Sequence, residues 1–382
     1  MIFEEFKMTE VASFEGPEKT LEVCFAPCGE GCRALGRGAL DAILAEARCE
    51  ILSKISNEYL DAYVLSESSL FVYKYKWVIK TCGRTTLLRS LRKLLEYTGT
   101  LDMRVEWVGY SRKNFVFPDD QTSPHTSFHE ELSYLKAHPI CGSGYVLGPM
   151  TGDHWFVFIS DQCERPSELE TERTVNVMMF DLADEVREQF YLKPGEIDDQ
   201  ETGNIMTQRS GLGDLVGAKV DARAFAPCGY SMNSLVYGSY TTVHVTPEPS
   251  CSYASFETNT PLKSYTSLLK NVLSVFKPKR IVVTLFADAA GLKHVTTFDK
   301  LNHIDLPKAT YARADLSSLC VETDAVCMMA NYVLDPDHHD YLDDDLHAEP
   351  PNHRRRRAPK NHPIHKLPRG PNPNQLHVGS LP

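Results

Sequence analysis

Ser66-Glu67-Ser68-Ser69 places three hydroxyls and a carboxylate inside Tyr63–Val72, a run whose other members read as one continuous buried strand. Polar groups in such a run need a reason. A hydroxyl at Ser68 can attack the carbonyl of the preceding residue and turn an amide into an ester, where the backbone is strained and a base is near. That chemistry cuts the chain. The same residues also suit a half-exposed strand or a tight turn whose Ser and Glu face water. On the decapeptide alone the strand or turn facing water is the better reading.

Four further segments carry reactive groups. In Phe14-Glu15-Gly16-Pro17-Glu18, two carboxylates flank a turn ahead of a strand, a spacing that suits proton transfer, cation binding or a plain surface turn. Cys82 ends the apolar run Trp77–Thr81 just before a helix, so it is either a reactive thiol favoured by the helix N-terminus or a buried structural cysteine. Phe225-Ala226-Pro227-Cys228-Gly229-Tyr230-Ser231-Met232-Asn233 reads as an irregular Pro and Gly loop able to position a ligand. His244 stands mid-strand in Thr241–Val245, as a base or as a satisfied core group. Cys24, Cys28 and Cys32 approximate an iron–sulfur spacing, but the second gap is one residue too long, and no metal is expected.

The elements that must hold these groups follow from pattern. The chain of 382 residues, 42% hydrophobic, can bury a large core, and its charge of −11 argues against an extended nucleic-acid surface. An acidic N-terminus and the lack of a long apolar run indicate a cytosolic protein with no membrane segment. Eleven cysteines without a secretion signal point to reduced thiols. Strands are predicted at Leu21–Phe25, Glu50–Ile55, Leu70–Thr81, Arg104–Val108, Trp155–Ile159, Asn176–Met179, Thr241–Val245, Ser252–Glu257 and Arg280–Phe286, mostly antiparallel, an α+β pattern. One helix follows Thr85-Thr86, with Leu87, Leu88, Leu91, Leu94 and Leu95 as its apolar stripe. A second carries Leu268, Leu269, Val272, Leu273 and Phe276 and stops at Lys277-Pro278. Helix then strand appears once in each half, a hint of duplication. From about Pro336 the chain turns acidic, then basic at Arg354–Arg357, then Pro-rich, and residues 336–382 read as a disordered tail without catalytic role. The tail's histidines lack metal-binding helical spacing.

Taken in order, Leu65-Ser66-Glu67-Ser68-Ser69, Lys80-Thr81-Cys82-Gly83, Tyr110-Ser111-Arg112-Lys113-Asn114-Phe115, Pro227–Asn233 and His244-Val245-Thr246-Pro247-Glu248-Pro249 resemble the S-adenosylmethionine decarboxylases of the eukaryotic type. The resemblance runs from about Phe14 to Phe286 and excludes the tail. Several independent blocks in one order make coincidence a poor explanation.

The resemblance implies a four-layer α/β/β/α sandwich of two antiparallel sheets, in one domain. It implies self-cleavage between Glu67 and Ser68 into a small chain, residues 1–67, and a large chain, 68–335, that stay together. Ser68 would become a covalent pyruvoyl group, forming a Schiff base with S-adenosylmethionine and acting as electron sink in place of pyridoxal phosphate. His244 with Ser231 would serve processing, and Cys82 would donate the proton that completes turnover. Phe14 and Phe225 would sandwich the adenine, Glu248 hold the ribose, Glu67 contact substrate, and Glu15 and Glu18 belong to the active site. The product would be the aminopropyl donor for spermidine and spermine.

Animal members of that family are dimers activated by putrescine at a buried acidic cluster, and plant members are active monomers. Lys80, Glu22, Thr174 and Glu257 match parts of the cluster, whereas Glu172-Arg173-Thr174-Val175-Asn176 departs from it. Asn176 replaces an acid and Arg173 adds a charge of the wrong sign, so putrescine activation is expected to be weak or absent. The alternatives are a catalytically inactive paralogue that regulates an active partner, against which intact Glu67-Ser68, Cys82, Ser231 and His244 argue, and a metal protein using Cys24, Cys28 and Cys32.

Overall fold

Apolar runs buried along most of their length, as sheets covered on both faces require, resolve in the computed structural model into two antiparallel sheets; residues 14–160, 173–217, 219–321 and 325–339 are described. The first sheet holds β1 (Lys19–Phe25), β2 (Ile51–Ser56), β3 (Leu60–Leu65), β4 (Ser68–Tyr73), β5 (Lys76–Thr81), β6 (Val105–Lys113), β7 (Gly142–Leu147) and β8 (Trp155–Ser160). Their spatial order is β2-β3-β4-β5-β1-β6-β8-β7. The second sheet holds β9 (Arg173–Leu182), β10 (Lys219–Ala224), β11 (Tyr230–Val236), β12 (Ser239–Thr246), β13 (Tyr253–Thr258), β14 (Pro278–Asp288), β15 (His303–Leu306), β16 (Ala309–Cys320) and β17 (Ala325–His339). Its order is β10-β11-β12-β13-β9-β14-β17-β16-β15.

Helices cover the outer faces. The buried stripes of α1 (Arg37–Ala47), α2 (Ser90–Gly99) and α3 (Phe128–Lys136) pack with Leu21, Val23 and Ile79 of the first sheet. Those of α4 (Asp184–Arg187), α5 (Gln200–Arg209) and α6 (Thr266–Phe276) pack with Val177, Val243 and Val283 of the second. Between the sheets, Trp107, Trp155 and Val157 meet Met178, Val282 and Met329, while Phe71 stacks on Tyr240 with ring centroids 3.8 Å apart. The result is the expected α/β/β/α sandwich. Each fully buried Leu, Ile or Phe in these clusters stabilises it by about 1.5–3 kcal/mol.

Several boundaries differ from expectation. Tyr63–Val72 is not one strand but the β3–β4 hairpin, and Leu70–Thr81 divides at Lys74-Tyr75 into β4 and β5. No glycine or proline marks either turn. The first predicted helix begins as a 3-10 turn, Leu87–Arg89, before α2. The supposed loop to Asn233 ends at Gly229, and Ser231 and Asn233 lie on β11. Strand β17 continues to His339, beyond the expected end of the body at Pro336, while 340–382 lie outside the described residues. Helix α5 was not anticipated because its contact with β10 uses bare backbone at Gly203, where a Cβ would come within 2.6 Å of Ala222 C, rather than an apolar stripe.

Candidate active site

Two residues, Ser66 and Glu67, close the β3–β4 hairpin, with Leu65 paired to Ser68. Two-residue turns that match strand twist take positive φ within the turn. Here neither turn residue does, and the positive value falls on Ser68, at 116°. A non-glycine residue held there stores about 1–3 kcal/mol. The distortion also redirects side chains: neighbours on a strand normally face opposite sides, yet the Oγ atoms of Ser68 and Ser69 lie 3.1 and 3.2 Å from the same His244 Nε2. Strain and a base meet at one residue.

The second sheet supplies the base. Cross-strand register pairs Ser231 with His244 and Asn233 with Thr242, and the two-residue period puts all four on one face. His244 Nδ1 is 2.9 Å from Ser231 Oγ, its Nε2 is 2.9 Å from Thr242 Oγ1, and Ser69 Oγ donates to Asn233 Oδ1 at 2.8 Å. Burial first, and then the Lys80 charge, lower the His244 pKa to about 3. The imidazole is neutral, with one nitrogen free to accept a proton.

Across the turn, the Cys82 backbone N–H donates to the Glu67 carbonyl at 3.2 Å, and the thiol lies 3.8 Å from Glu67 Oε2. Burial, then the Glu67 and Glu18 charges, push the Cys82 thiol well above its ordinary value. Burial outweighs any pull from the helix N-terminus and holds Cys82 as a thiol, the form a proton donor needs. Burial likewise raises Glu67, partly offset by the Cys82 contact and Lys19.

A cavity of about 190 Å³ opens on these groups, lined by Phe14, Glu67, Ser68, Cys82, Phe225 and Glu248 among others. The two aromatic rings and the thiol thus share one space with Ser231 and His244. Glu248 Oε2 is buried there without a hydrogen-bond partner, an acceptor left for a donor on a ligand.

Two predicted site residues do not line this cavity. Glu15 is not a free acid but a brace: its carboxylate accepts from Val116 N at 3.0 Å and Phe117 N at 2.7 Å, while burial raises its pKa. Glu18 accepts from Tyr253 OH at 2.8 Å and from Ser255, behind the cavity wall. Neither lines the cavity with Ser68, and the sequence adjacency that suggested a carboxylate pair does not produce one.

A second cavity, of about 60 Å³, lies between the sheets, lined by Glu18, Glu22, Thr174, Asn176 and Glu257 among others. Lys80 Nζ, fully buried, pairs with Glu257 Oε2 at 2.6 Å and donates to Thr20 at 3.4 Å. Arg173 does not enter this cavity, because its guanidinium donates to Leu262 O at 2.7 Å, so the expectation that it opposes a diamine is corrected. Cys24 packs between the sheets and Cys32 on the helix side of the first, and among the described residues no group of three metal-ligating side chains converges. Reading single segments misses Ser69, Asn233 and Thr242. The signal was there: each of the last two lies two residues from Ser231 or His244 on a strand.

The chain is similar to known proteins of one family. The adenosylmethionine decarboxylase family model matches residues 11–333, further than the motif resemblance to Phe286. An S-adenosylmethionine decarboxylase proenzyme of Dictyostelium discoideum is 42% identical over 289 residues, covering 72% of this chain and 75% of that one. One from Xenopus laevis is 41% identical over 312 residues, covering 78% and 91%. The solved structure of the Trypanosoma brucei AdoMetDC-delta26 monomer aligns with a TM-score of 0.52 and 27% identity, over 69% of this chain and 98% of that one.

Proposed function

The chain belongs to the adenosylmethionine decarboxylase family, and from that premise we propose which of its residues carry the activity. It is a proenzyme that cleaves itself and then decarboxylates S-adenosylmethionine, in service of polyamine biosynthesis. The observation that carries the assignment of roles is the strained Ser68, its hydroxyl 3.1 Å from a neutral His244.

His244 Nε2 takes the Ser68 hydroxyl proton as Oγ bonds to the Glu67 carbonyl carbon, and the Cys82 N–H stabilises the oxyanion. The C–N bond breaks, the nitrogen takes a proton, and an ester joins Glu67 to Ser68 Oγ. His244, held by Ser231, removes the Ser68 α-proton, and the Glu67 carboxylate leaves from Cβ. The dehydroalanine so formed tautomerises to an imine, and water releases ammonia. Relief of the 116° φ favours the first step.

The pyruvoyl group that results supplies an electron sink for the carbon–carboxylate bond of the substrate. Around it, Phe14 and Phe225 receive the adenine between aromatic faces that also suit a sulfonium cation. The unpartnered Glu248 oxygen accepts from the ribose hydroxyls, and Glu67 closes the wall. Cys82, kept protonated, returns a proton to the product carbon. Glu15 and Glu18 act from behind, Glu15 by holding the backbone at Val116-Phe117 and Glu18 by tying the start of β1 to β13 through Tyr253 and Ser255. The pieces on either side of the Glu67–Ser68 bond remain interleaved because β1 of the first lies between β5 and β6 of the second. The second cavity is a poor diamine site, with amide Asn176 among its lining, so putrescine should add little. Among the described residues no helix is long and apolar enough to cross a membrane.

Denaturing electrophoresis with intact-mass measurement tests the assignment. The expected result is a fragment ending at Glu67 and a second chain with a blocked residue at 68. Ser68→Ala should stay uncut, and Cys82→Ala should cleave but turn over poorly. Cleavage of the Ser68→Ala chain, or full activity of Cys82→Ala, would overturn the roles.

A further inference from the structure

His244 faces three hydroxyls and has one free lone pair. Ser68, Ser69 and Thr242 Oγ atoms lie 3.1, 3.2 and 2.9 Å from Nε2, while Nδ1 is engaged with Ser231 at 2.9 Å. In a neutral imidazole whose Nδ1–H donates to Ser231, Nε2 can accept one strong hydrogen bond. Geometry alone does not favour Ser68, since Thr242 is nearer. Something must withdraw the other two protons.

Asn233 is placed to do so. Its side chain is fully buried and its Oδ1 accepts the Ser69 proton at 2.8 Å, shorter than the Ser69 contact with His244. Ser69 Oγ, having given its own proton, has lone pairs for the Thr242 hydroxyl at 3.2 Å. A directed chain results, Thr242 O–H to Ser69 Oγ and Ser69 O–H to Asn233 Oδ1, with the amide oxygen as terminal acceptor. Ser68 has no partner in that chain, and its proton alone is left to His244.

We infer that Asn233 is a positioning residue for self-cleavage: by terminating the Thr242–Ser69 chain it reserves His244 Nε2 for Ser68, and so selects between two adjacent serines. The inference rests on the self-cleavage reading above. Asn233 acts only through Ser69 and Thr242, and touches no reacting atom.

The test follows cleavage of freshly synthesised full-length chain over time, by electrophoresis and intact mass. Asn233→Leu keeps the volume, removes the acceptor and releases both rivals, so cleavage should slow by about tenfold or more, the worth of one buried hydrogen bond to a reacting group. Asn233→Asp keeps an acceptor and should stay within about threefold of the parent, on the same scale. The triple variant Asn233→Leu, Ser69→Ala, Thr242→Val removes the rivals themselves and should recover most of the lost rate. If the leucine folds poorly, Asn233→Ala with the same two rescuing changes replaces it. An unslowed Asn233→Leu overturns the inference, as does an Asn233→Asp as slow as the leucine or a triple variant without recovery. A parent chain that never cuts, or a Ser68→Ala chain that does, overturns instead the self-cleavage reading.

Discussion

The two cavities lie against the same pair of sheets and both hold carboxylates, but they treat charge in opposite ways. In the cavity between the sheets, Lys80 and Glu257 satisfy one another at 2.6 Å, and Tyr240 OH donates to the other Glu257 oxygen at 2.9 Å. Burial alone would strip the Lys80 proton, yet Glu257 and Glu18 outweigh it and the cation is held more firmly than an ordinary lysine. In the cavity at Ser68, the titratable groups are left neutral or unpartnered: His244 uncharged, Cys82 a thiol, one Glu248 oxygen without a donor. Paired charge makes structure, and unpaired potential makes chemistry. The regions are linked, because Lys80 is also the charge that helps keep His244 neutral.

Breaking the paired region should have the largest effect. Lys80→Met leaves Glu257 charged and buried, and chemical denaturation should show a loss of about 3–5 kcal/mol, most of it restored by Lys80→Met with Glu257→Leu. Equal stability of the single and double variants would erase the contrast. Acid probes the other region next. The folded His244 value of about 3 lies below the ordinary 6.5, so the unfolded chain binds the proton first. Its stabilising contribution is complete above 6.5 and is lost as pH falls from there towards 3. Self-cleavage, which needs the neutral ring, should hold its rate from neutrality to about pH 5. A midpoint near the ordinary histidine value would show that the ring is not neutral by burial.

Smaller changes sharpen the picture. Glu248→Gln keeps the shape but weakens the acceptor, and KM for S-adenosylmethionine should rise about tenfold with self-cleavage unchanged. An unchanged KM would mean that the orphan oxygen has no ligand. Putrescine added to purified, cleaved enzyme should leave the rate within about twofold, as befits a cavity where Lys80 already takes Glu257 and an amide, Asn176, stands in the lining. A several-fold rise would show that the inter-sheet cavity still takes a diamine.

Legibility differed by kind of residue. Leu269, Val272 and Phe276 announced α6 through spacing alone, and Ser68, Cys82, Ser231 and His244 stood out as chemical types in blocks of fixed order. The partners of Glu15 and Glu18 were not legible because adjacency in sequence says nothing about which backbone amides or hydroxyls a carboxylate will meet. Asn233 and Thr242 were silent because their meaning is a register, Asn233 opposite Thr242 and Ser231 opposite His244, set by pairing of β11 with β12.

The sequence by itself determined an α+β pattern, through apolar runs and stripes that act locally, and its blocks in fixed order pointed to the Glu67–Ser68 bond through a family resemblance. Tertiary structure decided which serine is strained and set against a base. That choice depends on a φ of 116° imposed by the β3–β4 closure and on a histidine 176 positions away in the chain. Both are long-range outcomes of packing two sheets face to face, and no local pattern of residues encodes the distance between them.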